Sequence, residues 1–291
     1  LNYKSSVMTF VPDASAGLAH IQYDPPLAGV QRPATVALAP PGADCGDWRG
    51  ALRAELNDPL KVVFQGAYPA ACGERVWPVA YPAPREFAAR AVEGMWRELG
   101  GKLTGSVREG KVPAGLKPAF VSTSPALAEV VRDVNKYSNN VMAQHVFLTL
   151  ARQKNGVATL DGARETLRQW WQARFADVDA PAPDNGAGLS RDARITAQAL
   201  ARMLQAAWAS PVMPELVASL PIAGVDGTLR RSQSRSAAHL KTGSLRDVMA
   251  VAGYVHAQSG RRYVLVAIVN HPNANAARPV LDALTDWAAK D

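Results

Sequence analysis

The chain has 291 residues, 48% hydrophobic and 20% charged, which is the balance of a globular protein with a substantial core and not of a disordered one. An apolar run such as Val264 to Val269 is far too short to span a bilayer, so no transmembrane helix is expected. The formal net charge of +7 suits any anionic polymer, but no nucleic-acid motif is present and no aromatics interleave with the basic residues, so nucleic acid is not an expected partner.

The chain opens at Leu1, and no signal peptide is visible; sequence upstream of Leu1 is therefore expected. The first 80 residues read as β-rich. Strands are predicted over Ser6 to Val11, Thr35 to Leu38 and Leu60 to Gln65, separated by Pro25-Pro26, Pro40-Pro41, Pro69 and Pro78. The character changes near Tyr81-Pro82. Phe87, Ala91, Met95 and Leu99 recur every four residues and predict a helix over 85–99. A β-like stretch follows at Gly105 to Arg108. Ser124 is the expected N-cap of a further helix, with Pro125 at its first position and Leu127, Val130, Val131 and Val134 as its buried stripe. That helix is expected to break at Asn135-Lys136-Tyr137. Another runs from about Asn139 to Arg152, with Ala143, Phe147 and Leu150 on one face.

Two more amphipathic helices are predicted near 161–175 and 196–209. Strands follow at His239 to Thr242, Val248 to Val255 and Tyr263 to Val269, the last two joined at Ser259-Gly260 as a hairpin. A C-terminal helix carries Val280, Leu281, Leu284 and Trp287. Helices, then a strand meander, then a helix make a mixed α+β domain with an antiparallel sheet. Cys45 and Cys72, 27 residues apart, fit no zinc pattern, and the spacing leaves both a disulfide and two separate buried thiols open.

Two triplets carry chemistry. Ser138-Asn139-Asn140 sits between two helices and Lys241-Thr242-Gly243 sits on a strand. Acyl-serine enzymes acting on D-alanyl peptides and β-lactams use Ser-x-x-Lys, Ser-x-Asn and Lys-Thr-Gly elements. The serine of Ser-x-Asn relays a proton to the departing amine, and its asparagine binds the substrate amide. The lysine of Lys-Thr-Gly keeps positive charge beside that serine, the threonine hydroxyl receives the substrate carboxylate, and the glycine lets the substrate backbone approach the strand. Alone, each triplet reads as a cap or a turn; together they stand in the right order and the right local structure.

Longer segments extend the match. They are Asn135 to Ala143, Asn185-Gly186-Ala187-Gly188-Leu189-Ser190-Arg191, Ser219 to Leu229, Lys241 to Leu245, and Ala252-Gly253-Tyr254-Val255. In these the chain resembles the D-alanyl-D-alanine carboxypeptidase/endopeptidase family of class C low-molecular-mass penicillin-binding proteins. Asn2-Tyr3-Lys4 and the pair Cys45 and Cys72 resemble that family's β-rich insert.

The resemblance implies a penicillin-binding-protein/serine β-lactamase-like α+β fold. Residues 1–80 would be part of the insert and residues 81–291 the carboxypeptidase domain, incomplete at its N-terminal side. It further implies a periplasmic home, a Cys45–Cys72 disulfide, peptidoglycan stem peptides and β-lactams as ligands, and no metal or cofactor. Ser138, Asn140 and Lys241 are the implied catalytic residues; Thr242, Gly243 and Ser244 are the implied substrate-binding ones. Two positions depart from the family pattern: Ala187 stands where a serine is usual, and Asn139 where aspartate is frequent.

The largest departure is the third motif. No lysine of the chain has a serine three residues before it; Asp133 precedes Lys136 and Ala238 precedes Lys241 at that spacing. The nucleophile is thus expected upstream of Leu1, and the chain as written is expected to be inactive. A non-catalytic binder of cell-wall peptides, or a β-lactamase or esterase on the same scaffold, are the alternatives. His239 and His145 are expected to be structural, Trp170-Trp171 to be helix core plus helix surface, and Gly186-Ala187-Gly188 not to be a phosphate loop, since no Lys-Ser or Lys-Thr follows it.

Overall fold

The computed structural model describes residues 3–291, so Asn2 of the Asn2-Tyr3-Lys4 match lies outside it. The chain divides into two compact units, the first ending at Ala119 and the second running from Phe120 to Asp291.

In the first unit, β1 (Ser5–Asp13) buries Met8 and Phe10, two residues apart on one face. The Asp13 carboxylate accepts the backbone N–H groups of Ser15 and Ala16, and Gly17 takes φ 67° before β2 (Leu18–Asp24) returns antiparallel. β3 (Thr35–Ala37), α1 (Trp48–Ala51), the short pair β4 (Ala54–Glu55) and β5 (Val63–Phe64), and β6 (Arg75–Ala80) follow. The main sheet has the order β3-β2-β1-β6. Phe10 stacks on Tyr68 with ring centroids 5.4 Å apart and meets Trp48 and Phe64 edge-on. The Cys45–Cys72 disulfide is formed, with Cα atoms 4.7 Å apart, and Cys72 belongs to the same core.

Helix α2 (Phe87–Glu98) packs within this unit as well. Phe87 and Ala91 share a core with Leu27 and Tyr81. Arg90 donates to the Ala28 carbonyl at 2.9 Å, and Gly94 sits so close to the Pro26 carbonyl that a Cβ would lie 2.0 Å from it. The structural division at Ala119 therefore differs from the change of character at Tyr81-Pro82. That change marks a shift from strand to helix, while packing joins the helix to the strands before it.

The second unit contains α3 (Leu127–Tyr137), α4 (Asn140–Asn155), α5 (Leu160–Gln172), α6 (Ala197–Trp208) and α7 (Met213–Ser219). It continues with β7 (Ala238–Leu245), β8 (Val248–His256), β9 (Arg262–Asn270) and α8 (Arg278–Ala289). The three strands form an antiparallel meander in sequence order. One face, with Leu240, Met249, Val251 and Val255, packs on Leu281 and Ala289 of α8. The other, with Ala252, Tyr254, Val264 and Val266, packs on Leu204 of α6. Alternation along each strand supplies both apolar faces. Gly253 is required where β8 crosses β7, because a Cβ there would lie 2.1 Å from the His239 carbonyl oxygen. Among the described residues no helix is long and apolar enough to cross a membrane.

Several local expectations are corrected. Gly105 to Arg108 is irregular, not a strand. Helix α3 begins at Leu127 with the extended Ala126 as its N-cap, so Ser124 and Pro125 lie ahead of it, and Leu127 is exposed. It also runs on through Asn135-Lys136-Tyr137, because Lys136 is drawn inward by the Leu220 carbonyl and the Asp226 carboxylate. The chain turns at Ser138 instead, with φ 53° and ψ 48°. Leu150 on α4 and Leu99 beyond α2 are exposed; Phe147 and Ala151 are the buried positions of α4. On α8 the buried stripe is Leu281, Thr285 and Ala289, while Val280 and Trp287 face outward. Trp171 is buried and Trp170 exposed, the reverse of the expected order.

Candidate active site

The turn at Ser138 is the first element of the site. A left-handed backbone costs a non-glycine residue about 1–2 kcal/mol, so its surroundings must hold it. They do so from both sides. The Asn139 N–H donates to the Val134 carbonyl at 3.1 Å, closing α3, and the Asn139 side chain caps α4 by accepting the Met142 N–H at 3.0 Å. Asn140 opens α4 on the exposed side. The middle residue of Ser-x-Asn is thus a helix cap, a role that asparagine and aspartate fill equally well.

The second element is β7. Its register sets Lys241 opposite Ala252 and Thr242 opposite Val251, so the two side chains leave opposite faces of the strand. Lys241 is half-buried, and its Nζ donates to the Ser138 hydroxyl at 3.2 Å and to the Thr242 carbonyl at 3.0 Å. No carboxylate pairs with it among the described residues, and burial alone pulls its pKa below the ordinary lysine value. Thr242 meets Thr228, hydroxyl to hydroxyl, at 2.8 Å. Gly243 is exposed, and a Cβ there would touch only Ala250 at 3.6 Å, so the strand surface is open to an approaching chain.

Ser138, Asn140, Lys241, Thr242, Gly243 and Ser244 all line one cleft of about 1280 Å³ within the second unit, together with Ala187 and Gly188 of the glycine-rich segment. That segment is preorganised. Asn185 Oδ1 accepts the N–H groups of Ala187 and Gly188, both at 2.9 Å, and Gly186 packs so tightly on α4 that a Cβ would lie 2.5 Å from that of Phe147. Arg191 pairs with Asp247 at the cleft edge at 2.6 Å. Cys45 and Cys72 are in the other unit and play no part here.

Chemically the arrangement is a cationic donor held against a serine hydroxyl, beside a threonine hydroxyl and an open strand. With the ammonium donating to Ser138 Oγ, the serine proton is free to point into the cleft. His239 is not one of the site's groups: its Nδ1 lies 3.1 Å from the Val217 carbonyl and its ring packs on His256. His145 lies exposed on α4. Lys136 and Asp226 pair beside the turn and Thr228 lines the cleft next to Thr242; all three lie in the matched segments Asn135 to Ala143 and Ser219 to Leu229, where the sequence assigned them no role. The signal available was a lysine two residues before Ser138, on a helix whose other charges face outward.

Comparison with known proteins places this geometry. The profile of the D-Ala-D-Ala carboxypeptidase 3 (S13) family matches residues 41–291. A D-alanyl-D-alanine carboxypeptidase of Actinomadura sp. is 29% identical over 206 residues, covering 67% of this chain and 38% of that protein. A carboxypeptidase of Mycobacterium tuberculosis is 30% identical over 182 residues, covering 59% and 39%. The chain thus spans about two fifths of the length of these curated relatives. Penicillin binding protein 4 (dacB) of Haemophilus influenzae, solved in complex with a β-lactam, has a similar fold: TM-score 0.66 at 18% identity, over 98% of this chain and 70% of that one. With its fold and most of its length matched in this way, the chain belongs to the D-Ala-D-Ala carboxypeptidase 3 (S13) family.

Proposed function

We propose that this chain is part of a periplasmic serine-type D-Ala-D-Ala carboxypeptidase/endopeptidase that cleaves peptidoglycan stem peptides through an acyl-serine intermediate. The observation that carries the reading is the 3.2 Å contact from Lys241 Nζ to Ser138 Oγ in a cleft that also holds Thr242 and Gly243. The disulfide supports an oxidising compartment. Residues 1–80 are assigned to the β-rich insert and 81–291 to the carboxypeptidase domain, a functional division that need not follow the compact units.

The proposed roles follow from the donors. The C-terminal carboxylate of a D-alanyl peptide is received by the Thr242 hydroxyl, with Lys241 supplying nearby positive charge. The peptide backbone lies along β7 at Gly243 and Ser244, and the Asn140 amide binds the substrate amide. The attacking serine passes its proton to the lysine of its Ser-x-x-Lys motif. As the C–N bond breaks, Ser138 gives a proton to the departing D-alanine nitrogen and is reprotonated from that lysine, the Lys241 ammonium stabilising the charge that develops on Ser138 in between. Water then hydrolyses the ester. The attacking serine is assigned outside these 291 residues, because no serine here has a lysine at the Ser-x-x-Lys spacing.

The same absence favours a second reading, a non-catalytic binder of cell-wall peptides. One experiment separates the two: intact-mass measurement after incubation with a fluorescent penicillin. The 291-residue chain is expected to remain unlabelled, and the protein carrying a Ser-x-x-Lys segment to gain one adduct and release D-alanine from a stem pentapeptide. An adduct on the shorter chain shows that the nucleophile is misassigned; none on the longer one supports the binder.

A further inference from the structure

Lys136 is the buried charged residue of the second unit, and it lies two positions before Ser138 in the last turn of α3. Its Nζ donates to the Leu220 carbonyl at 2.7 Å and pairs with Asp226 Oδ2 at 2.6 Å. The other Asp226 oxygen accepts the Ile222 N–H at 2.8 Å. One cation thus ties Leu220, at the start of a loop, to Asp226, at its end, and Asp226 reaches back to Ile222. Asn135 reinforces the join by donating to Ser219 Oγ at 2.7 Å.

The loop that Lys136 gathers lies along the outer edge of β7. Leu240 N–H donates to the Pro221 carbonyl at 2.9 Å, and Ala223 N–H to the Ala238 carbonyl at 3.0 Å. Past Asp226 the chain presses back on α3: Gly227 takes φ 55°, and a Cβ there would lie 2.5 Å from the Lys136 carbonyl oxygen. The next residue, Thr228, is the one that meets Thr242. The end of α3, the loop and β7 are therefore tied at a single point directly behind the Ser138–Lys241 contact.

We propose that Lys136 and Asp226 are a positioning pair, which fixes Ser138 at its distance from Lys241 and fixes Thr228, and through it the Thr242 hydroxyl, facing the substrate carboxylate. Neither residue touches substrate. An ion pair with one buried partner adds little net stability against a well-packed apolar replacement, but its directed hydrogen bonds impose one geometry. The proposal rests on the reading of Ser138, Lys241 and Thr242 as the peptidase site.

The test uses the 291-residue chain. The Lys241 Nζ titration is followed by heteronuclear NMR, affinity for a peptide ending in D-alanyl-D-alanine by chemical-shift titration, and thermal unfolding in parallel. Asp226→Asn keeps an acceptor for Ile222 and removes the charge. It is expected to move the Lys241 titration up toward the ordinary lysine range and to weaken the peptide by about tenfold or more. Phe10→Leu, a core change in the first unit, should lower the melting temperature while leaving both readouts at wild-type values.

Should Asp226→Asn fail to fold, the paired replacement Lys136→Met with Asp226→Leu leaves no buried charge uncompensated and should show the same two shifts. If the folded variants lose thermal stability but keep the wild-type Lys241 titration, the pair is merely structural and the proposal is overturned. If the wild-type chain itself binds no D-alanyl-D-alanine peptide, the peptidase reading fails, and the Lys241 titration still decides whether the pair positions the turn.

Discussion

Lys241 reaches Ser138 across 103 residues of sequence, with an N–O distance of 3.2 Å and no carboxylate between them. The lysine comes from the edge of a sheet and the serine from a left-handed turn between two helices. The contact therefore reports how accurately those elements are held together.

The first prediction concerns the charge on that lysine. Burial lowers the Lys241 pKa from its ordinary value of 10.5, and no anion restores it. An NMR titration of Nζ should find a midpoint below that value. The sign for stability follows. The folded state holds the proton less tightly than the unfolded state, so Lys241 opposes folding below its folded pKa, and the penalty disappears as pH rises through its unfolded value. Lys241→Met should therefore be at least as stable as wild type near neutral pH. A midpoint at or above 10.5 contradicts the environment described here.

Acid should act through Asp226. Burial raises its pKa, but the Lys136 hydrogen bond, the Ile222 N–H and the Lys136 charge outweigh burial and leave the pKa below 3.8. The folded state holds this proton less tightly, so the contribution to stability is complete above the unfolded value and is lost as pH falls through the lower folded one. The stability gap between wild type and Asp226→Asn should be constant near neutral pH and close at acid pH. A gap that does not change with pH would remove Asp226 as the titrating partner.

Removing the disulfide should destabilise the first unit and spare the second. Cys45 and Cys72 close a loop with a sequence separation of 27, for which chain entropy predicts about 2–4 kcal/mol. Cys45→Ser with Cys72→Ser should lower the unfolding free energy of the first unit by that amount. Hydrogen exchange should rise around Phe10 and Tyr68 while β7 and β8 keep their protection. Loss of protection at β7 would show that the units do not unfold separately.

Gly253→Ala probes the sheet beneath Lys241. Gly253 has φ 156°, and a Cβ would lie 2.1 Å from the His239 carbonyl oxygen and 3.0 Å from Leu240 Cα. Relief requires β7 to shift away from β8, at a cost of about 1–3 kcal/mol for overpacking. Because Lys241 is two residues from His239, its amide resonance should move together with those of Leu240 and Thr242. Unchanged stability would mean that β7 is more compliant than its pairing indicates.

The amino-acid sequence by itself determined the family resemblance, the order of the motifs and the position of most of the helices and of the three-stranded meander. These depend on local periodicity, and on residue types that chemistry restricts at fixed spacing. It also made the Cys45–Cys72 disulfide an expectation through the resemblance. Lys136 shows what periodicity could not reveal. Its neighbours Asn135 and Tyr137 read as a helix break, yet the helix continues, because the lysine is buried on partners 84 and 90 residues away. Likewise the packing of α2 with the first unit depends on Leu27 and Pro26, whose closeness to Phe87 and Gly94 no local pattern records. Only the tertiary structure decided these points, because the energy of a buried polar group or a close backbone contact lies in its partner, and the partner is set by the fold of the whole unit.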